Sequence, residues 1–242
     1  MTSLPALIIG SMAPDFVYFF SFGVSGSFTH TLPGVPIYCV PAGLVVYVVY
    51  YLLLRQPMLE WMPVIISSRV STPSRWPLQS VRNVAIVLGS LAVGATTHVF
   101  WDSFTHDNTM IVNGDSALRT LVPVGSYQIP IFKILQQASS LVGFLVIATY
   151  VAFWIRQTEP AAVHRTFSTG RRLLTLAAVF AAGASGGVAG LLLRQGTSVE
   201  RGLFNFVVTG MAVAAVAIVV LCIGWHINLR RCEKNPHRRL GR

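Results

Sequence analysis

The sequence predicts an all-α fold: a polytopic membrane helix bundle of about six transmembrane helices with both termini in the cytoplasm. Of its 242 residues, 53% are hydrophobic and only 11% are charged, which is more apolar than an ordinary soluble domain. Six apolar runs approach the length of about 20 residues that crosses a bilayer. These runs are residues 4–22, 35–54, 84–103, 131–155, 173–193 and 203–227.

The orientation is predicted from the basic residues between the runs. Fourteen of the 18 Lys and Arg residues lie in segments 55–82, 156–172 and 230–242, and only four lie in the remaining loops. In membrane proteins the excess of Lys and Arg lies on the cytoplasmic side. We therefore expect a multi-pass protein of the cytoplasmic membrane, with the other loops on the outer face.

The net charge of +10 does not indicate a nucleic-acid partner. The basic residues form short clusters between apolar runs, as in cytoplasmic loops, and not a groove for phosphates. The lipid bilayer is the predicted partner, and no oligomeric state follows from the sequence. The cysteines at 39, 222 and 232 have neither ligand nor disulfide spacing, so they are predicted to pack in the interior.

The first run contains a carboxylate, Asp15, directly after Pro14. Proline removes a helix hydrogen bond, so the helix is predicted to kink or end there. A carboxylate at membrane depth is a candidate functional residue. Alternatively, Asp15 caps a short helix that begins at Phe16. The loop 23–34 that follows has no Lys or Arg and contains His30.

The third run ends in the polar motif Thr97-His98-Val99-Phe100-Trp101-Asp102-Ser103-Phe104-Thr105-His106. In a helix, His98, Asp102 and His106 are spaced at i, i+4 and i+8 and share one face, which can hold a cation. The alternative is a structural hydrogen bond between His98 and Asp102 inside the bundle. Residues 106–133 are predicted to form a polar loop.

The remaining runs indicate helix packing. Polar residues in the first half of the fourth run are expected to face the bundle, because lipid cannot pair them. They are Gln136, Gln137, Ser139 and Ser140. Glycines of the fifth run are expected to allow close approach of a neighbouring helix. They are Gly183, Gly186, Gly187 and Gly190.

The predicted topology brings the polar candidates to the outer face. Asp15, His30, His98 and Asp102 are the predicted metal ligands, and this mixed O/N set suits a divalent Zn, Mn or Fe ion. His106 is a further ligand or a general acid/base, so Asp102 and His106 are the catalytic candidates. A bound metal could activate a water molecule.

Four motifs occur in order between residues 4 and 155: GSMAPDF at 10–16, FTHTL at 28–32, THVFWDSFTH at 97–106, and IPIFK with QQASSL at 129–141. They resemble the bacterial integral membrane proteins catalogued as domain-of-unknown-function family 4184. Their Pro-Asp and His-x-x-x-Asp elements are similar to those of inner-membrane proteins named as predicted metal-dependent hydrolases.

Members of that family usually begin with a segment that carries a Ser-His pair before the first span, and this chain starts without that pair. If that histidine is a ligand, we expect one donor fewer in this chain, or an incomplete start. The predicted division of the chain is a four-span core at 1–155 with the Asp/His cluster, two further transmembrane helices at 156–229 and a basic cytoplasmic tail at 230–242.

Two functions are predicted. The first is a metal-dependent hydrolase with its Asp/His site at the outer membrane face, acting on a lipid-linked or envelope substrate. The second is a non-enzymatic membrane carrier or assembly factor whose polar cluster is structural or conducts protons. A membrane phosphatase of the PAP2 type is disfavoured, because no Arg or Lys that could bind phosphate lies near His98.

Overall fold

The computed structural model describes residues 2–19, 23–70, 76–107, 109–163, 165, 167–193 and 198–234. Within these residues the protein is an all-α polytopic membrane bundle with one small β-hairpin. Five helices are long and apolar enough to cross a membrane: Val35–Trp61, Val81–Gly114, Ile131–Gln157, Thr169–Leu193 and Val199–Arg230. They correspond to the second to sixth predicted runs, which confirms the predicted fold class.

In chain order, the helices of the described residues are α1 (Leu4–Met12), α2 (Phe16–Phe19), α3 (Gly26–Thr29), α4 (Val40–Val49), α5 (Arg55–Trp61), α6 (Val64–Ser67), α7 (Val81–Thr105), α8 (Met110–Gly114), α9 (Ser116–Arg119), α10 (Ile131–Gln157), α11 (Thr169–Leu193) and α12 (Val199–Lys234). A 3₁₀ turn at Ala13–Asp15 lies between α1 and α2, and π-helical segments at Val35–Cys39 and Tyr50–Leu54 flank α4.

The first predicted run is a broken helix. Helix α1 ends at Met12, and the 3₁₀ turn that contains Pro14 and Asp15 precedes α2. This geometry confirms the predicted kink, because proline has no N–H to continue the helix. The apolar helical stretch Leu4–Phe19 is shorter than the other five, and residues 20–22 lie outside the described ones. The count of six spans and the cytoplasmic termini therefore stay predictions.

The described chain divides into two compact units, each of which is described by itself. The first unit contains Met1–Asp15, Val24–Leu44 and Arg69–Ala161, and the second contains Phe16–Gly23, Val45–Ser68 and Ala162–Arg242. The predicted boundaries at residues 155 and 229 stay predictions. Most of the predicted basic tail, residues 235–242, lies outside the described residues.

In the first unit, α1 packs directly on α7 through glycine. A Cβ atom added at Gly10 would overlap the backbone of Leu91, and one added at Gly94 would overlap the carbonyl oxygen of Leu7. Ala6 and Ala95 are fully buried near this crossing. Small residues allow backbones to approach closely where lipid gives no hydrophobic drive. The crossing places the end of α1 beside the last turns of α7.

The predicted polar loop at 106–133 is mostly ordered structure. It contains α8, α9 and an antiparallel hairpin of β1 (Leu121–Val124) and β2 (Tyr127–Pro130). Gly125 in the two-residue turn has φ of 60°, a conformation that favours glycine. The short strands lack an alternating hydrophobic pattern, so sequence periodicity could not reveal them. Helix α10 begins directly after β2.

In the second unit, α11 packs along α12. The four glycines predicted to allow close packing all face α12: a Cβ at Gly186 would lie 2.6 Å from the Cβ of Val213, and one at Gly190 would lie 2.5 Å from the oxygen of Asn205. The packing prediction is therefore confirmed. In the same unit, the Glu60 carboxylate accepts a 2.8 Å hydrogen bond from the backbone N–H of Phe167.

Candidate functional site

The five predicted site residues meet in the first unit. Asp15 ends the 3₁₀ turn after α1, and His30 is the residue that caps the C-terminus of α3. His98 and Asp102 lie one turn apart on α7. His106 is the residue after the last one of α7, and its backbone is extended, with φ of −116° and ψ of 142°. The expected continuous i, i+4, i+8 face is thus interrupted, although the His106 ring still reaches Asp102.

Backbone carbonyls orient both central imidazoles. The Nδ1 atom of His98 lies 2.7 Å from the carbonyl oxygen of Ser11, at the end of α1. The Nδ1 atom of His30 lies 2.8 Å from the carbonyl oxygen of Gly26. A carbonyl oxygen only accepts, so each Nδ1 carries a proton and donates it. In the neutral ring the lone pair is then on Nε2, which is the arrangement found in metal-binding histidines.

Both Nε2 atoms face the same two carboxylates. The Nε2 atom of His30 lies 3.2 Å from Asp15 Oδ1 and 3.4 Å from Asp102 Oδ2. The Nε2 atom of His98 lies 3.7 Å from Asp15 Oδ2 and 3.1 Å from Asp102 Oδ2. In a tetrahedral site with bonds of 2.0 to 2.1 Å, neighbouring ligand atoms are about 3.3 Å apart. The four distances lie around that value.

The donor atoms of Asp15, His30 and His98 all lie within 4.8 Å of one another, so this group could hold a metal ion. The side chains of His30, His98 and Asp102 are only 17 to 19% exposed, whereas Asp15 is 43% exposed. Three donors are therefore shielded from water while the fourth stays accessible. A small ion can reach the cluster on the Asp15 side.

The cluster favours positive charge at His30. Burial acts to lower the pKa of His30, but the hydrogen bonds to Asp15 and Gly26 and the charges of Asp15 and Asp102 act in the opposite direction. The pKa of His30 is therefore raised above its ordinary value. The same negative field attracts a metal cation as it attracts a proton.

His106 connects the cluster to α10. Its Nδ1 atom lies 3.4 Å from Asp102 Oδ1, and its Nε2 atom lies 2.9 Å from the amide nitrogen of Gln136. The amide oxygen of Gln136 faces the Lys133 ammonium at 3.5 Å, which directs the amide NH₂ towards His106. In the neutral ring, His106 thus accepts from Gln136 at Nε2 and donates from Nδ1 to Asp102.

Sequence reasoning missed two groups that shape this site. The Thr29 hydroxyl lies 2.9 Å from the carbonyl oxygen of Pro14 and fixes α3 on the helix break. Gln136 was expected only to face the bundle, and its partner could not be known. Two features of the sequence could have indicated these groups: Thr29 is adjacent to His30, and the Gln136 amide lies one to two turns into the fourth run.

The fold and the cluster define a polytopic α-helical membrane protein with an Asp/His group that could hold a metal ion. The chain belongs to the family described as "Domain of unknown function (DUF4184)", whose model matches residues 1–223. The match extends beyond the region 4–155 in which the resemblance was found, and it includes the fifth and most of the sixth apolar run. No curated protein and no solved structure matches the chain.

Proposed function

We propose that this protein is a metal-dependent hydrolase of the cytoplasmic membrane, with its Asp/His site at the outer face. The observation that carries the proposal is the pair of imidazoles of His30 and His98. Each ring is held by a backbone carbonyl at Nδ1 and directs Nε2 at both carboxylates. Structural hydrogen bonding between His98 and Asp102 would need neither the second imidazole nor the second carboxylate.

The ligands of the proposed divalent ion are Asp15, His30 and His98, with Asp102 beside them. When bound, such an ion lowers the pKa of a coordinated water and polarises a substrate oxygen. If Asp102 also coordinates, a tetrahedral zinc site would be closed, and Mn²⁺ or Fe²⁺ with its higher coordination number would suit hydrolysis better. If Asp102 only contacts the attacking water, three ligands leave zinc an open position.

His106 is the proposed general acid/base. Hydrolysis requires that the attacking water lose a proton and that the leaving group gain one. The His106 ring can take the first proton and return it to the leaving group, and its Nδ1 atom lies 3.4 Å from Asp102 Oδ1, which orients the ring. Asp102 therefore contacts both parts of the site: its Oδ2 atom faces the imidazoles of His30 and His98, and its Oδ1 atom faces His106.

The metal content of detergent-purified protein tests this proposal. We expect about one equivalent of Zn, Mn or Fe by elemental analysis, and at least about a tenfold lower content in His98→Gln, since a lost ligand weakens binding strongly. His226→Gln is the matched control, because His226 lies in the second unit and contacts the Leu53 carbonyl oxygen. Equal metal content in the two variants would contradict the proposal.

One observation favours the second candidate function, a carrier or assembly factor with a proton-conducting cluster. When both imidazoles are protonated, their charges balance those of the two carboxylates, so Asp15, His30, His98 and Asp102 can also pair with one another without any metal. Protein that stays metal-free after incubation with excess Zn²⁺, Mn²⁺ and Fe²⁺ would support this candidate and exclude the hydrolase.

A further inference from the structure

Beside the Asp/His cluster, α7 and α10 line an open cavity of about 420 Å³, which we call the α7–α10 cavity. Its lining residues are Trp101, Asp102, Thr105, His106, Gln136, Ser139 and Ser140. Because it contains His106 and Asp102, a molecule bound there lies next to the proposed acid/base. The side chains of this cavity therefore select what the site can act upon.

The hydroxyl groups that line the cavity present lone pairs to a ligand. The Ser139 and Ser140 hydroxyls both donate to the carbonyl oxygen of Gln136, at 3.0 and 2.9 Å. The Ser139 hydroxyl in turn accepts from the indole N–H of Trp101 at 3.2 Å. A hydroxyl has one hydrogen and two lone pairs. With its hydrogen directed at the backbone, each of the two serine oxygens keeps at least one lone pair for a hydrogen-bond donor of the ligand.

The charge of the lining disfavours an anion. The carboxylate of Asp102 contributes negative charge to the lining, and none of the lining residues is Lys or Arg. A phosphate or carboxylate in contact with this lining would meet acceptors and a like charge, while the Lys133 ammonium, outside the lining, faces the amide oxygen of Gln136 at 3.5 Å. Sugar and polyol hydroxyls, in contrast, donate to such acceptors. The indole of Trp101, 44% exposed, adds an apolar face of the kind that packs on a sugar ring.

The position of the cavity points to a lipid. Gln136 to Ser140 lie in the second and third turns of α10, about 8 to 14 Å from its first residue. This depth suits the headgroup region, where tryptophan is also favoured. Ser139 belongs to the same stripe of α10 as Val142 and Val146. These residues begin an apolar hollow of about 490 Å³ that continues to Phe153.

We propose that the α7–α10 cavity binds the uncharged, hydroxyl-rich headgroup of a membrane lipid, such as a sugar or polyol, whose hydrocarbon chains lie along the apolar hollow of α10. If the site is a hydrolase, this lipid class is its substrate class. That assignment rests on the proposed function. Binding itself needs no metal, so its test is independent of metal content.

The test is native mass spectrometry of the purified full chain in detergent with EDTA. The probes are a glucosyl-diacylglycerol, a phosphatidylglycerol and a phosphatidylethanolamine with the same acyl chains. We expect the glucosyl lipid to bind at least about tenfold more tightly than phosphatidylglycerol. Ser140→Ala should weaken its binding about fivefold, as expected for one hydrogen bond. The contact found for the Ser140 hydroxyl is within its own helix, so this variant keeps the fold.

A second variant reverses the selectivity. Ser140 is exposed on α10, and Ser140→Lys would add a cation to the lining, so we expect a preference for phosphatidylglycerol in place of the glucosyl lipid. Ser185→Ala is the control, because the Ser185 hydroxyl makes the same type of bond to its own helix in α11. Equal or tighter binding of phosphatidylglycerol or phosphatidylethanolamine by the unmodified protein would overturn the proposal, as would indifference to Ser140→Ala.

Discussion

Thr29 is the residue that joins the helix break to the histidine loop. It is fully buried, and its hydroxyl lies 2.9 Å from the carbonyl oxygens of Pro14 and Gly26. The Gly26 oxygen also accepts a hydrogen bond from His30 Nδ1. We therefore assign the single hydrogen of the Thr29 hydroxyl to the Pro14 oxygen. This side chain therefore fixes Asp15 and His30 relative to each other before any ion binds.

We expect Thr29→Val to lower both stability and metal affinity. The variant keeps the shape of the side chain but leaves the Pro14 oxygen, a buried acceptor, without its donor, which costs about 1–3 kcal/mol. Thermal unfolding in detergent, with and without added metal, measures both effects. Thr120→Val is the control, because Thr120 is exposed and its hydroxyl lies 3.1 Å from the Ser116 oxygen, within its own turn. Equal melting temperatures for the two variants would contradict the proposal that Thr29 fixes Asp15 and His30 relative to each other.

At the scale of elements, the crossing of α1 and α7 determines where the cluster forms. Gly94 lies one turn before His98 on α7, and Gly10 lies one turn before the helix break on α1. The approach of the two backbones lets the Ser11 carbonyl oxygen reach His98 Nδ1 at 2.7 Å. A wider crossing would separate the ring from the carbonyl that fixes its tautomer.

Two alanine substitutions on α7 test this crossing. Gly94→Ala should destabilise the protein by about 1–3 kcal/mol, because the added methyl group meets backbone atoms that cannot move aside. It should also lower metal content. Gly89→Ala, with nothing within 4 Å of its added Cβ, should be neutral or slightly stabilising. Chemical denaturation measures the free energy of unfolding, and elemental analysis of the folded fraction measures the metal content. Equal values of both quantities in the two variants would refute the close crossing.

The sequence could predict the members of the cluster but not its construction. The spacing of His98 and Asp102 places both on one helix face, and Pro14 predicts the helix break at which Asp15 lies. Nothing local could show that His30 Nε2 would lie 3.2 Å from Asp15, because that contact depends on how α3 folds back on the break. The extended backbone of His106 and its Gln136 partner are likewise tertiary features, and a helical projection of α7 misses both.

At the scale of the whole molecule, topology decides which face of the membrane the site serves. The predicted orientation rests on charge, because the segments predicted to be cytoplasmic carry 14 of the 18 Lys and Arg residues. Ser25 and Ser126 are exposed residues in segments predicted to lie on the outer face, and Ser168 is an exposed residue in a basic segment. These positions are suited to cysteine labelling.

In a background without Cys39, Cys222 and Cys232, we expect a membrane-impermeant thiol reagent to label Ser25→Cys and Ser126→Cys in intact cells, and to label Ser168→Cys only after the cells are permeabilised. Permeabilised cells control for access to all three positions. The reverse pattern would place the site on the cytoplasmic face. A hydrolase acting on outer-leaflet substrates would then be excluded.

Asp102 makes the two halves of the site depend on one side chain. Its Oδ2 atom faces the rings of His30 and His98, while its Oδ1 atom faces His106. Both oxygens belong to one planar carboxylate, so a rotation that moves Oδ2 relative to the two central rings also moves Oδ1 relative to the His106 ring. The geometry at one position is therefore tied to the geometry at the other, and neither can be adjusted alone.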